Sequence, residues 1–453
     1  MFTKVLIANR GEIAARVART CKRLGVATVG VHSEADAEAL HPSVMDESHL
    51  VGPAPVRESY LNAQAIIDVA KRTGAQAFHP GYGLLSEKSS FARAVIEAGI
   101  TWVGPTPEAL DALGDKMRAR HTALAAKVSP VPGSDAPVDT VDGARAVIAT
   151  IGYPALVKAV GGGGGIGMQL VRDDSQLERA MKSCSDRAVA AFGDPRVYVE
   201  RYVEGPRHIE VQIFGDTHGT VVALGERECS LQRRHQKIVE ESPSPAFVGG
   251  DGPEKRAAIL DAAVRIGQAV GYVGAGTCEF IWDDARREFY FLETNCRIQV
   301  EHPVTEMVTG LDLVEHQLRV ACGEPLAKEL TECSPRGHAV EARLYAEDPA
   351  KGFIPKPGDV DTVTWPSMEH VRVDAGVRAP GKVTPYYDPM IAKVIAWAET
   401  REAAIHRLDE ALAGTAVAPL VTNHAFLRAV LRSDEFAGGR YDTTFAERFA
   451  KKK

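Results

Sequence analysis

The stretch Phe289-Tyr290-Phe291-Leu292-Glu293-Thr294-Asn295-Cys296-Arg297-Ile298-Gln299-Val300-Glu301 decides how the rest of the chain is read. In an extended strand, successive side chains point to opposite faces. One face would carry Tyr290, Leu292, Thr294, Cys296, Ile298 and Val300, nearly all apolar. The other begins with Phe289 and Phe291 and continues as Glu293, Asn295, Arg297, Gln299 and Glu301. Carboxylates and an amide oxygen suit Mg2+, a guanidinium suits a small planar anion, and a second glutamate can serve as a base. Alternation alone fits a solvated amphipathic strand equally well, so the partners of such a face must be sought elsewhere in the chain.

At 453 residues the chain is too long for one ordinary core, and two to four domains are expected. Hydrophobic and charged fractions of 45% and 25% are those of a soluble globular protein. Net charge near −7 argues against a broad nucleic-acid surface. No apolar run reaches membrane-span length, and the N-terminus enters a strand rather than a signal peptide, so a cytoplasmic protein without a membrane or nucleic-acid partner is expected. The cysteines Cys21, Cys184, Cys229, Cys278, Cys296, Cys322 and Cys333 are scattered and form no C-x-x-C pair. That is reduced usage, neither a disulfide framework nor a zinc site.

Along the chain, residues 4–8, 28–32, 77–79 and 101–103 read as strands, and 12–24, 61–73 and 89–98 as helices. This is an open parallel α/β sheet with a Rossmann-like look over 1–115. The turn after the first strand lacks G-x-G-x-x-G, which disfavours a dinucleotide site. A connector is expected over 116–130, near the punctuation Ser129-Pro130-Val131-Pro132-Gly133. A compact lid of two β runs around a glycine loop follows over 131–202. Strands then predominate over 203–334 (208–214, 220–226, 277–282, 288–295), with a helix at 254–270. A further α+β lobe is expected over 335–446, with strands 338–345 and 370–374 and a helix 402–413, before a basic tail at 447–453.

Three segments supply partners for the polar face. Lys158 precedes a run from Gly161 to Gly165, then Ile166-Gly167. Glycine lets backbone N–H groups approach a ligand with no Cβ in the way, and such amides cradle phosphate oxygens while lysine adds a point charge. No Gly-Lys-[Ser/Thr] follows, so this is not a P-loop. Glu226 to Lys237 gathers Arg233, Arg234, His235 and Lys237 in an otherwise acidic protein, as an anion site would. His79-Pro80-Gly81-Tyr82-Gly83 ends a strand of the first domain, where parallel sheets place ligands.

Together these segments resemble the biotin carboxylase family of the ATP-grasp superfamily, from residue 4 to residue 445. The resemblance rests on Ala8-Asn9-Arg10-Gly11-Glu12-Ile13-Ala14, His79 to Gly83, Gly114-Asp115-Lys116, the glycine run and Gln232-Arg233-Arg234-His235-Gln236-Lys237. It rests further on Arg297 to Glu306, His338-Ala339-Val340-Glu341-Ala342-Arg343 and Tyr386-Tyr387-Asp388-Pro389-Met390. The resemblance implies an ATP-grasp fold of two β-lobes between the Rossmann-like domain and the C-terminal lobe. It implies that ATP is bound by Lys116, Lys158, Gly164, Gly165, Glu200, Arg201, Tyr202, Val203, His208 and His235. Mg2+, or Mn2+ in its place, would be held by Glu279, Glu293 and Asn295. Bicarbonate would lie on Lys237, Arg297, Gln299 and the N–H of Val300, whose side chain the pleat points away. Glu301 would act as base, Arg343 would stabilise enolate-like biotin, and Tyr82 would contact biotin.

The implied reaction is carboxylation of biotin through carboxyphosphate, the first half-reaction of an acetyl-CoA or other acyl-CoA carboxylase, or of a 2-oxo-acid carboxylase. The implied partners are a biotin carboxyl carrier protein, a carboxyltransferase subunit and a second copy of the chain. No Ala-Met-Lys-Met acceptor is present, and Ala180-Met181-Lys182-Ser183 lacks the second methionine, so biotin is expected on another polypeptide. Ile166 and Gln169 depart from the cations common at these lid positions. A lost charge-assisted contact there is worth ~1.5–3 kcal/mol. That departure motivates an alternative, a nucleotide-binding subunit with weakened catalysis and a regulatory or scaffolding role.

Overall fold

The computed structural model describes residues 1–161 and 167–451. The N-terminal unit is a five-stranded parallel sheet in the order β3-β2-β1-β4-β5. Its strands are β1 (Lys4–Ile7), β2 (Ala27–Ser33), β3 (Glu47–Gly52), β4 (Ala77–His79) and β5 (Thr101–Trp102). The apolar strand β1 is buried beneath helices such as Gly11–Arg23 and Ala63–Thr73, as a parallel sheet covered on both faces requires. The sequence reading does not pick out β3. It is an edge strand of mostly half-buried polar residues, with neither an apolar run nor alternation to mark it.

The expected connector contains the helix Lys116–Ala125, capped by the Asp115 side chain, which accepts from the N–H groups of Met117 and Arg118. The lid is an antiparallel sheet, β7-β6-β8, made of β6 (Ala155–Ala159), β7 (Met168–Val171) and β8 (Val197–Arg201). It has a small core of its own around Val157, Val171, Leu177 and Val199.

The rest of the molecule is organised by one eight-stranded sheet. Its strands are β9 (Arg207–Gly215), β10 (Val221–Arg233), β11 (Gln236–Ser242), β12 (Gly274–Asp283), β13 (Glu288–Asn295), β14 (His338–Tyr345), Met390–Ala398 and Val371–Ala375. The order is β13-β12-β9-β10-β11-β14, then Met390–Ala398 and Val371–Ala375 at the edge. Antiparallel pairing of β11 with β14 (Val239 opposite Ala342, Glu241 opposite Val340) carries the sheet from the expected catalytic lobe into the C-terminal lobe.

Two expectations change. Strand β10 continues to Arg233, well past residue 226, so most of the basic segment is strand and only Arg234 and His235 form the turn, both with positive φ. Arg227, Glu228 and Gln232 are buried. Arg227 pairs with Glu210 on β9, and the other two with Ser230 and the Cys229 carbonyl of β10 itself; such polar residues gave the strand the look of a polar loop. Strand β13 ends at Asn295; residues 296–301 turn, and the helix His302–Thr309 follows. Simple alternation therefore does not extend to Glu301, and the pleat argument for Val300 lapses. It also fails within β13. Glu279 faces Glu293 while Phe280 faces Phe291, so an irregularity at Leu292 separates the two pairs. That bulge sends Phe291 into the core with Phe280 and Cys278, and leaves Glu293 beside Glu279.

Candidate active site

The site lies where the lid meets the large sheet, with Lys158 close enough to His235 to act on its charge and Arg201 donating to the Tyr290 hydroxyl. At its floor, Lys237 near the start of β11 donates from Nζ to Glu210 (2.5 Å), Glu279 (2.9 Å) and Glu301 (2.6 Å). Beneath it Arg227, fully buried, donates to Glu210 (2.5 Å), Gln212 (2.7 Å), Thr277 (3.0 Å) and Thr305 (3.0 Å). Glu210 thus joins the two cations. Nothing in the sequence marks Glu210 or Arg227 as more than strand residues, because their register opposite each other appears only in the sheet.

Glu301, at the mouth of the helix His302–Thr309, accepts from Lys237 and from Arg343 Nη2 (2.9 Å). Burial pushes its carboxyl upward, but Lys237, Arg343 and Arg227 outweigh burial and hold it well below the usual carboxylate range. Glu279 is treated alike: burial raises it, while Lys237 and His208 (Nε2 to Oε2, 3.1 Å) bring it down. Asn295 Nδ2 (2.8 Å) and Gln299 Nε2 (3.1 Å) also donate to Glu279. Glu293 lies across the pairing from Glu279, with Lys116 Nζ 3.5 Å from its carboxylate.

Arg297 is held on all sides. It donates to Gln299 Oε1 (3.0 Å), Asn295 Oδ1 (3.1 Å) and Glu87 Oε2 (3.0 Å), and the other oxygen of Glu87 accepts from the Cys296 N–H (2.9 Å). Glu87 comes from the N-terminal unit, 210 residues away, and the sequence reading missed it. The Val300 carbonyl accepts from Lys393 Nζ (2.8 Å), a fully buried lysine whose charge meets Glu12 at 3.1 Å. Glu12 in turn accepts from the Tyr82 hydroxyl.

On the lid side, Lys158 pairs with Glu200 across neighbouring strands, and both are buried. His235 at the hairpin tip loses basicity through burial and the nearby Lys158 charge. Arg201 places its guanidinium against Tyr290 (2.6 Å) rather than among the carboxylates, and Tyr202 donates its N–H to Pro154 O (3.0 Å). Val203 is buried beside them. Gly164, Gly165 and Ile166 lie outside the described residues.

The cleft is oxygen-rich toward Glu279, Glu293 and Asn295, as a hard divalent cation requires. His208, Glu210 and Glu279 form a second set, with one ligand atom from each within 4.8 Å of the others. Lys237 engages both Glu210 (2.5 Å) and Glu279 (2.9 Å), so the two sets share Glu279 and differ in whether Glu210 with His208 or Glu293 with Asn295 completes them.

A lid sheet opposed to a sheet face of lysines and carboxylates defines an enzyme of the ATP-grasp class. Models of the biotin carboxylase N-terminal domain, the carbamoyl-phosphate synthase L chain ATP binding domain and the biotin carboxylase C-terminal domain match residues 1–110, 115–329 and 341–448. The chain belongs to the biotin carboxylase family. It is 48% identical to a biotin carboxylase of Halalkalibacterium halodurans over 100% of this chain and 99% of that one. Identity is also 48% to the methylcrotonoyl-CoA carboxylase subunit alpha of Dictyostelium discoideum, over 98% of this chain and 63% of the relative.

Among solved structures, it resembles the biotin carboxylase domain dimer of the Hydrogenobacter thermophilus 2-oxoglutarate carboxylase, which holds MgADP, ADP and bicarbonate. Identity there is 42%, coverage 99% of this chain and 98% of that one, and the TM-score 0.94. The biotin carboxylase of Campylobacter jejuni in complex with β,γ-ATP gives a TM-score of 0.95 at 40% identity, over 99% of both chains.

Proposed function

We propose that this protein carboxylates biotin at the expense of ATP and bicarbonate, with the biotin borne on a separate carrier protein. The observation that carries the reading is the convergence of Lys237, Arg297, Glu301 and Arg343 from three separated segments around one pocket. Lys116 and Lys158 would meet the phosphates, with Gly164 and Gly165 supplying amides. Glu200, Arg201, Tyr202, Val203, His208 and His235 would line the nucleoside. Glu279, Glu293 and Asn295 would hold Mg2+, which neutralises phosphate charge during transfer.

Bicarbonate would lie on Lys237, Arg297, Gln299 and the Val300 N–H, with Glu301 taking its proton. In the free protein Glu301 is a weak base, since three cations stabilise its anion. A substrate anion that draws on Lys237 removes part of that stabilisation and raises its basicity where it is needed. Bicarbonate then attacks the γ-phosphate, forming carboxyphosphate as the bond to the β-phosphate oxygen breaks and ADP leaves. Carboxyphosphate releases CO2 and phosphate, the phosphate takes the ureido proton, and biotin attacks CO2. Arg343 would stabilise the charge on the ureido oxygen, and Tyr82 would position the ring.

The partners follow from the family: a biotin carrier, a carboxyltransferase and a second copy of the chain, in the cytoplasm. Among the described residues no helix is long and apolar enough to cross a membrane. The domain limits read from the sequence, at 115, 130, 202, 334 and 446, form part of the same proposal.

The test is ADP release with and without bicarbonate and free biotin. Release should require bicarbonate and rise on adding biotin; release indifferent to both sinks the reading.

A further inference from the structure

Three carboxyl groups crowd the guanidinium of Arg343. Glu301 accepts from Nη2 at 2.9 Å, and Glu240 Oε1 lies 2.5 Å from the same nitrogen. Glu341 sits two residues before Arg343 on β14 and directly opposite Glu240 in the β11–β14 pairing. All three are fully buried. Among the described residues, neither oxygen of Glu341 has a hydrogen-bond partner, and the Arg343 ion pair is the one close contact of the Glu240 carboxylate.

The surrounding charges are already committed. From β11, Lys237 serves Glu210, Glu279 and Glu301. From the strand Met390–Ala398, Lys393 serves Glu12 and the Val300 carbonyl, with Asp374 3.8 Å away. From the helix His302–Thr309, His302 contributes no positive charge, because burial and then Lys393 and Arg16 keep its ring neutral, and Glu306 lies 3.8 Å from it. One guanidinium, shared with Glu301, therefore faces two further acids. An unpaired carboxylate in such a site costs several kcal/mol, and a proton removes that cost. Two buried carboxyls side by side, next to one guanidinium that Glu301 already engages, are held from ionising together.

We propose that Glu240 and Glu341 hold one shared proton at neutral pH and so set the net positive charge that Arg343 presents to biotin. Both are positioning residues that act through Arg343. Burial pushes the Glu341 carboxyl well above its ordinary range, with Glu240 and Glu301 adding to the rise and the nearby Lys393 and Arg343 charges only partly offsetting it. Burial likewise lifts Glu240, which Arg343 draws down and Glu301 pushes up, to about 7. Losing the proton would set three carboxylates against one guanidinium and blunt its pull on the ureido oxygen.

This inference rests on the biotin carboxylase reading for its kinetic arm but not for its spectroscopic one. Infrared spectra of the wild-type protein at neutral pH should contain a protonated-carboxyl carbonyl band that titrates away on alkalinisation and is missing from Glu341→Gln. The pH profile of biotin-stimulated ADP release should fall on the alkaline side in the wild type. That limb should move up by at least ~1 pH unit, or vanish, in Glu341→Gln, whose amide cannot ionise. Should Glu341→Gln not fold, the wild-type band and its titration decide alone. A wild-type spectrum without a titrating band, or a Glu341→Gln limb at the wild-type midpoint, overturns the proposal. ADP release that ignores bicarbonate overturns the functional reading instead and leaves the band to stand or fall separately.

Discussion

Glu87 reaches out of the N-terminal unit and grips two successive residues of the catalytic turn, the Cys296 N–H and the Arg297 guanidinium. An arginine that must present its fork to a small planar anion needs its other face fixed, because free rotation dilutes bidentate geometry. Glu87→Gln keeps the shape and removes the charge. It should raise the KM for bicarbonate roughly 10-fold, the scale of one charge-assisted hydrogen bond, with a much smaller change in the KM for ATP. Equal changes in both constants would refute the assignment. Arg343→Lys keeps the charge and loses the fork. Biotin-stimulated turnover should drop about 100-fold while bicarbonate-dependent ADP release without biotin persists, as measured by coupled assay.

At the scale of elements, the site depends on close approach of β9 and β12, which carry His208, Glu210 and Glu279. Gly215 stands opposite Gly274 in that pairing, and a Cβ at 215 would lie 1.9 Å from the Tyr272 carbonyl oxygen. Gly215→Ala should therefore destabilise the protein by about 1–3 kcal/mol, seen as a lower urea midpoint at unchanged m. An unchanged midpoint would mean that the strand end gives way freely. The sequence foretold β9, β12 and β13 to within a few residues, because their apolar content and turn residues are local signals. It also grouped Glu293, Asn295, Arg297, Gln299 and Glu301 correctly as neighbours, although by a pleat that stops at Asn295. What brings Arg297, Gln299 and Glu301 together is a turn stapled by Glu87 and Lys393. Those contacts span 210 and 93 residues, and no local pattern encodes them. Long-range pairing likewise hid Glu210, Arg227 and the bulge at Leu292.

For the whole molecule, acid should weaken the junction where buried carboxylates tie β11 to the C-terminal lobe. Glu241 accepts from His338 (2.6 Å), Arg401 (2.7 and 2.9 Å) and Tyr441. Burial works against its charge, but Arg401 and His338 win and hold it at about 2. A carboxyl depressed in this way contributes stability that is full above its unfolded value near 4.5 and is lost as pH falls toward about 2. The shift is worth on the order of 3 kcal/mol. Arg401→Gln should accordingly flatten the loss of stability between pH 4.5 and 2 and lower the urea midpoint at pH 7. An unaltered pH dependence would show that Glu241 is not the group responsible.

The unbroken eight-stranded sheet bears on how such proteins can be recombined. The domain matches end at residue 329 and resume at 341, which invites a crossover there when chimaeras are built. Such a junction would draw β11 from one parent and β14 from the other, along a line of backbone pairing that also separates Glu301 from Arg343. Foreign side chains would then meet across the ladder at Glu240 and Glu341. A crossover outside the sheet, between the N-terminal unit and the helix Lys116–Ala125, leaves the ladder intact and moves only contacts such as Glu87 with Arg297.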